Sequence, residues 1–406
     1  MTNPQALDSD IRPGLKLTPR VLASGHDVIH KRLEKLRSID YQLYVHDTAF
    51  EATKPVFTII LTMHDASPAF IEASLQCVFS QTYQNTEVIL INNGAKGEVR
   101  DRIWKYFKAN KNARLIELEQ NLFNPLANNL DDPLPNLWNA ALFCSGGDFV
   151  YFMAYDDLLS IDYVERMMQL FNDNPQCNTA APMVLGIDQF GHLNHEGNAI
   201  FKATNVRGKY TNGVELARDY MRGGKQISFP GGVLATRSSL VLKCGGFDKL
   251  SDLSQLFKFG IHGDSGFDPE AALYWRRHSG QTNKTQTRMG LVYFRTYKNF
   301  VDDYGIKKLH QTVAGNEFAD EFEVYLKREA EHAAVLDFRN SYRAGFRAGL
   351  NAFMTVLREC PAHVKKRVLF HVFRDFPAYV YWNWIPYRAK SLYATFKKVR
   401  APNGNL

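Results

Sequence analysis

The sequence predicts an α/β fold: a mixed, mainly parallel sheet flanked by helices, with a helical lead-in before it and a helical extension after it. Three observations predict it. Short β-branched runs alternate with amphipathic stretches from "PVFTIILTMHD" to about residue 290. Polar residues gather where those runs end. After about residue 291 the strand signals stop and long helical patterns take over.

Taken in order, residues 1–54 form a lead-in, polar and Pro-containing at first. Within it "HKRLEKLRSIDYQLYVHD" spaces its apolar and charged positions as a helix does, which predicts one or two helices. The main domain, residues 55–290, opens with the strand "FTIILTM" and the helix "PAFIEASLQCVFSQTY". Then come strand "TEVILINNG", helix "EVRDRIWKYFKANK", strand "ARLIELE", helix "LPNLWNAALFCS" and strand "DFVYFMAY". This rhythm predicts βαβ units with right-handed crossovers. The domain divides into halves at 55–160 and 161–290, and residues 291–406 read as long helices ended by Pro361 and Pro377. There is no internal repeat and no low-complexity tract.

Composition excludes several classes of function. A chain of 406 residues with 45% hydrophobic and 13% aromatic residues can bury a large core. The formal charge of +7 is modest and the basic residues form no long tracts, so nucleic acid is not an expected partner. The cysteines Cys77, Cys144, Cys177, Cys244 and Cys360 are far apart with no CxxC pair, and are expected to be reduced thiols in a cytoplasmic protein. The N-terminus lacks an apolar h-region, and no run approaches the roughly 18 apolar residues of a membrane span. Export by a signal peptide and anchoring by a span are not expected.

In open α/β sheets ligands sit at the carboxyl ends of the strands. Four such places stand out: Thr62-Met63-His64-Asp65, Asn92-Asn93-Gly94, Asp156-Asp157, and the Arg276-Arg277-His278 end of an apparent strand. A carboxylate pair with an imidazole suits a hard divalent ion that keeps positions open for phosphate oxygens. No GxGxxG follows the first strand and no GxxxxGK[ST] occurs, so a metal would have to hold the phosphates of a nucleotide. Plainer readings stand beside these. Asp156 and Asp157 also suit the start of a helix in "DDLLSIDYVERMM", Asp252 suits the cap of "LSQLFKF", and Asn-Asn-Gly suits a turn. His278 alone suits a hydrogen-bonded loop residue, and His192 and His195 suit a solvated loop.

Together these pieces carry a resemblance. "PVFTIILTMHDASPAFIEASLQCVFSQTYQNTEVILINNG" followed by "WNAALFCSGGDFVYFMAYDDLLS" resembles the nucleotide-binding half of a family 2 glycosyltransferase of the Rossmann-related GT-A fold. "FPGGVLATRSSLVLKCGGFDKLSDLSQLFKFGIHGD" resembles the acceptor half, and "LYWRRHSGQT" its closing Arg-x-His element. The resemblance covers roughly residues 55–285. It implies that Thr62 and His64 line the base pocket and that Asn92 and Asn93 contact uracil or thymine and ribose. It further implies that Asp156 and Asp157 contact ribose, donor sugar and a manganese or magnesium ion, Asp157 foremost as metal ligand, with His278 completing the metal or diphosphate site. Asp252 matches the general base. The pattern departs from the family at Leu61 and Met63, at Asn92-Asn93-Gly94-Ala95, at Ala154, and at Ser251-Asp252 in place of a Glu-Asp pair.

The implied activity is metal-dependent, inverting transfer of a sugar from a UDP- or dTDP-sugar to a glycan or lipid-linked acceptor, in surface polysaccharide assembly. A positioned base contributes typically 10²–10⁴-fold, and a divalent ion offsets charge on the leaving diphosphate. Inversion follows from identifying one base and no second, nucleophilic carboxylate. The alternative is a catalytically silent sugar-nucleotide or glycan-binding protein of the same fold. A nucleotidyltransferase is disfavoured because no Gly-rich basic loop follows the first strand. Residues 363–400 mix aromatic and apolar residues with nine basic residues and one acid, which suits peripheral contact with an anionic bilayer at the inner face of the membrane. A packed helical appendage or a dimer surface accounts for the same composition.

Overall fold

The computed structural model describes residues 11–13, 27–36, 39–46, 50–51, 53–122, 133–194, 208–222, 234–248, 255–279, 305–344, 346–360 and 362–370. The chain divides into two compact units, Met1–Ser279 with Lys298–Glu323, and Gly280–Tyr297 with Val324–Leu406.

The first unit is built on one sheet. Its strands are β1 (Ile11–Pro13), β2 (Gln42–His46), β3 (Phe57–Met63), β4 (Thr86–Asn93), β5 (Ala113–Leu118), β6 (Phe149–Ala154), β7 (Leu158–Leu159), β8 (Cys177–Ile187), β9 (Tyr210–Asn212), β10 (Ala235–Arg237) and β11 (Asp264–Arg276). Its helices are α1 (Asp27–Leu36), α2 (Pro68–Phe79), α3 (Gly97–Ala109), α4 (Pro133–Cys144), α5 (Tyr163–Asp173), α6 (Gly213–Met221), α7 (Ser238–Lys243) and α8 (Ile306–Ala314), and α9 (Asn316–Ala344) begins there.

The sheet order is β1-β2-β5-β4-β3-β6-β10-β8-β11-β7, with β9 on β11. Strands β5, β4, β3 and β6 pair in parallel. β10 is antiparallel to both β6 and β8, and β8 is parallel to β11. It follows that β3, β4, β5, β6, β8 and β11 all point the same way, so their carboxyl ends share one edge. The expected α/β sheet with a mainly parallel centre is what is observed.

Burial on both faces explains the continuous apolar runs in the central strands, β3 and β4 being buried almost throughout. Alternate residues face opposite layers. Ile59, Leu61, Val88 and Leu90 pack with Ile71 and Leu75 of α2, Ile103 and Phe107 of α3 and Met167 of α5. Ile60, Ile89 and Ile91 pack instead with Leu137, Ala141 and Phe143 of α4. A buried charge sits beside this core. Glu87 accepts from Thr58 Oγ1 at 2.6 Å and Gly146 N at 3.0 Å, and pairs with Arg114 Nε at 2.6 Å.

The lead-in differs from expectation in carrying two strands, β1 and β2, which pair with each other. The helix stops at Leu36, and "QLYVH" is strand β2, antiparallel to β5. Leu43 packs on one side of the sheet and Tyr44 on the other, a period of two that the helical reading of the longer stretch overrode.

In the second unit, the described part of α9 from Val324 and helix α10 (Phe346–Glu359) share a core of Ala334, Val335, Phe338, Val356, Cys360, Val364 and Val368. Glu331 pairs there with His363 and, at 3.5 Å, with Arg367. No described helix is long and apolar enough to cross a membrane. None of the five cysteines is in a disulfide.

Candidate functional site

The carboxyl edge of the sheet carries the site. Only Tyr155, Asp156 and Asp157 separate the end of β6 from β7, yet β7 pairs with β11, on the far side of β10 and β8 in the strand order. Four Cα steps span at most about 15 Å. The sheet must therefore curl, bringing the end of β11 against the turn that holds the two aspartates.

Hydrogen bonds fix that junction. Arg276 N donates to Asp157 Oδ1 at 2.9 Å, and Arg276 Nε donates to the Asp156 carbonyl at 2.8 Å. His278 Nε2 lies 3.0 Å from Asp156 Oδ2. The Arg276 guanidinium also sits 4.7 Å from the centre of the Phe70 ring, which is 5.1 Å from the His278 ring. Phe70 belongs to α2, so β6, β11 and the helix after β3 converge here.

Asp157 is buried, 4% exposed. Burial first, and the neighbouring Asp156 charge second, push its carboxyl well above the usual carboxylate range, against the Arg276 N–H bond and the Arg276 charge, which pull it down. The same surroundings raise the Tyr155 phenol to about 12, chiefly through burial and then through both carboxylates. Burial lowers the Arg276 guanidinium. Asp156 and Asp157 do not cap a helix: α5 begins at Tyr163 with Asp162 at its cap position.

Around this centre, Thr62, next to last in β3, has a buried Oγ1 with no hydrogen-bond partner. His64 places its ring 4.8 Å from that of Tyr155, and its Nδ1 lies 3.0 Å from the Asp65 carbonyl oxygen. Asn92 and Asn93 are both buried. The Asn92 amide donates to the Ala95 carbonyl and to Glu117 Oε1, each at 3.3 Å, and its oxygen accepts Ala95 N at 2.8 Å. Asn93 reaches Asn121 Oδ1 at 3.0 Å and accepts Leu122 N at 2.9 Å. Gly94, at φ 77°, makes the turn between them and α3, where backbone of residues 120 and 121 comes too close for a side chain. These asparagines thus tie the β4 turn to the segment after β5.

The edge therefore brings together Thr62, His64, Asp156, Asp157 and His278, with Asn92 and Asn93 behind the adjoining turn. Asp252, like His195, lies outside the described residues, although its flanks are well held: Lys258 Nζ donates to the Gly246 carbonyl at 2.8 Å and to Asp248 Oδ2 at 3.1 Å. Sequence reasoning missed Phe70 and the bridging part played by Arg276. The apolar residue three positions into a Pro-started helix carried no polar signal, and an arginine at a strand end is as easily a solvated one.

Residues 58–214 match the family described as Glycosyl transferase family 2. This segment is similar to a family 2 glycosyltransferase domain. The curated relatives that match the chain agree with the domain. An uncharacterized glycosyltransferase of Haemophilus influenzae is 25% identical over 120 residues, 30% of this chain and 34% of that protein. EpsH of Bacillus subtilis is 24% identical over 130 residues, 31% of this chain and 34% of that protein. The chain thus matches about a third of the length of these relatives. Among solved structures, S. aureus TarS 1-349 in complex with UDP-GlcNAc has a TM-score of 0.47 at 13% identity, covering 79% of this chain and 92% of that one. The mannosyltransferase PcManGT from Pyrobaculum calidifontis, in complex with GDP-Man and Mn2+, has a TM-score of 0.44 at 13% identity, covering 94% and 99%. The family 2 domain contains both aspartates, Thr62, His64, Asn92 and Asn93; His278 and Asp252 lie beyond the matched residues.

Proposed function

We propose that this chain is a metal-dependent, inverting glycosyltransferase that moves a sugar from a nucleoside diphosphate sugar, UDP- or dTDP-linked, to a glycan or lipid-linked acceptor in surface polysaccharide assembly. The observation that carries this reading is the buried carboxylate of Asp157 beside the Asp156–His278 pair, at the edge where the parallel strands end. A buried acid beside a second one is costly when ionised and gains from a cation that neutralises it.

The donor set fits a divalent ion that is shared with a ligand. Asp156 and Asp157 offer hard oxygens and His278 an imidazole, while among the described residues no group of three acids, histidines or cysteines is arranged to hold an ion by itself. Such an ion supplies charge for the departing diphosphate. Thr62 Oγ1 is a buried hydroxyl without a protein partner and offers itself to a polar ligand. Arg276 holds Asp157 in place and His278 orients Asp156. Asp252, between the Gly-Gly-Phe-Asp turn and the Gln255–Phe259 helical segment, is the proposed base that takes the acceptor proton.

On this reading residues 55–290 form the catalytic domain with its two halves, and 291–406 a helical extension that contacts the cytoplasmic face of the membrane through the basic, aromatic stretch 363–400. A catalytically silent sugar-nucleotide binder is the second reading, favoured by one observation: the Asn92 and Asn93 amides are engaged within the protein. A panel of nucleotide sugars screened by thermal shift with and without manganese, on wild type and Asp157→Ala, tests the donor site. Stabilisation by one UDP- or dTDP-sugar that needs metal and disappears in the variant supports the proposal. Absence of any response defeats it. Donor hydrolysis with metal separates enzyme from silent binder.

A further inference from the structure

The hairpin that follows β8 is held rigidly at the same edge and exposes an aromatic ring. Asp188 N donates to the His192 carbonyl at 2.8 Å, Gly191 N to the Asp188 carbonyl at 3.1 Å, and Asn194 N to the Gly186 carbonyl at 2.8 Å. Asp188 Oδ1 accepts both Phe190 N at 2.8 Å and His192 N at 2.9 Å, and Gly191 takes φ 93°. The turn rests on Arg276, whose NH1 donates to the Gln189 carbonyl at 3.2 Å while its Nε donates to the Asp156 carbonyl. One guanidinium thus joins the hairpin to the acid pair.

At this turn Phe190 is 75% exposed and Leu193 51%. The His192 ring lies 6.3 Å from the Phe190 ring, with the Asp188 carboxylate 3.4 Å from His192 Nδ1. An exposed ring flanked by an imidazole and a carboxylate matches the chemistry of a pyranose, which offers an apolar C–H face for stacking and hydroxyls at its rim. The stretch from Asp188 to Asn194 has no Lys or Arg, unlike a loop built to enter an anionic bilayer.

We infer that the Asp188–Asn194 hairpin is a saccharide subsite for the acceptor, with Phe190 as its stacking platform and Asp188 and His192 as its hydroxyl partners. The inference rests on the glycosyltransferase reading and adds to it the acceptor class, a pyranose-terminated glycan, and the place where it docks.

The test uses the full chain, with UDP and manganese present, on a printed panel of oligosaccharides ending in glucose, galactose, N-acetylglucosamine, mannose or rhamnose. Wild type, Phe190→Ala and Phe190→Trp are compared, the exposure of Phe190 leaving folding undisturbed. The expected result is binding of at least one terminal sugar, weakened about tenfold in Phe190→Ala and kept in Phe190→Trp. Equal binding by wild type and Phe190→Ala overturns the inference, as does wild type binding no member. Loss in Phe190→Ala of co-sedimentation with phosphatidylglycerol vesicles, with no sugar bound, overturns it in favour of a membrane-entering turn. Donor thermal shifts on the same samples keep the two ideas apart: they are expected to be alike in wild type and Phe190→Ala, and their absence in wild type defeats the donor reading whatever the panel shows.

Discussion

Asp157 Oδ1 accepts the Arg276 backbone N–H at 2.9 Å, which ties a buried carboxylate to the strand end that also presents His278. Asp157→Asn keeps an oxygen for that N–H and removes the charge. The fold should survive, while on the proposed reading sugar transfer should fall about 100-fold or more, since Asp157 would no longer help hold the ion that offsets charge on the diphosphate. Transfer assays with manganese, beside the melting temperature, check this. Wild-type activity in the variant would remove Asp157 from the proposed metal site.

Gly94 cannot carry a side chain. At φ 77° a Cβ would be strained, and it would collide with the backbone of Gln120 and Asn121. Gly94→Ala should cost about 1–3 kcal/mol and shift the turn that Asn92 and Asn93 hold. Chemical denaturation measures the cost. Donor binding should weaken in parallel, since the turn adjoins the β3 end that carries Thr62 and His64.

Lys258 is buried against Asp248, and burial lowers its ammonium pKa against the raising effect of that acid. Lys258→Met removes the cation from beside a buried acid and should destabilise the protein by about 3–5 kcal/mol. Adding Asp248→Leu should restore much of the loss, because the pair is then replaced by apolar groups. Equilibrium unfolding of the single and double variants decides it. A double variant as unstable as the single one would mean that the Asp248 carboxylate has another structural task.

His310 gives the first unit a pH dependence. It is buried among Phe257, Phe318 and Phe322, its Nε2 lies 2.7 Å from the Phe257 carbonyl oxygen, and its Nδ1 has no hydrogen-bond partner. Burial chiefly, and His262 after the opposing Phe257 bond, depress it to about 4. The unfolded chain takes up this proton near pH 6.5 and the folded chain does not until about pH 4, so stability falls as pH drops through that window. Between pH 7 and pH 5 the loss from this group should be about 2 kcal/mol. His310→Gln keeps a donor for Phe257 and should flatten that slope in denaturation curves. An unchanged slope would assign the acid sensitivity elsewhere.

Much of this architecture is legible because burial writes itself into residue choice. "FTIILTM" and "TEVILINN" are apolar on both faces, and the polar residues near their ends, Thr62 and Asn92-Asn93, mark the edge of the candidate site. Asp156 and Asp157 were legible as a pair, but not that β7 follows them at once and carries the chain to β11, because two leucines give no strand signal. The role of Arg276 was hidden for the same reason: it depends on contacts between residues more than 100 positions apart. "QLYVH" was misread because helical spacing upstream ran into it, and pairing with β5 decided otherwise.

The strap from β6 to β7 is only three residues long. Removing one residue between Ala154 and Leu158 would force a choice between unzipping β7 from β11 and dragging the acid pair off its seat. The Asp188–Asn194 turn closes through its own hydrogen bonds, and its outward side chains Phe190 and His192 can be exchanged while the Asp188 and Gln189 carbonyls stay on Arg276. On the inference that this turn receives the acceptor, re-engineering would change its outward side chains and leave the strap at its present length.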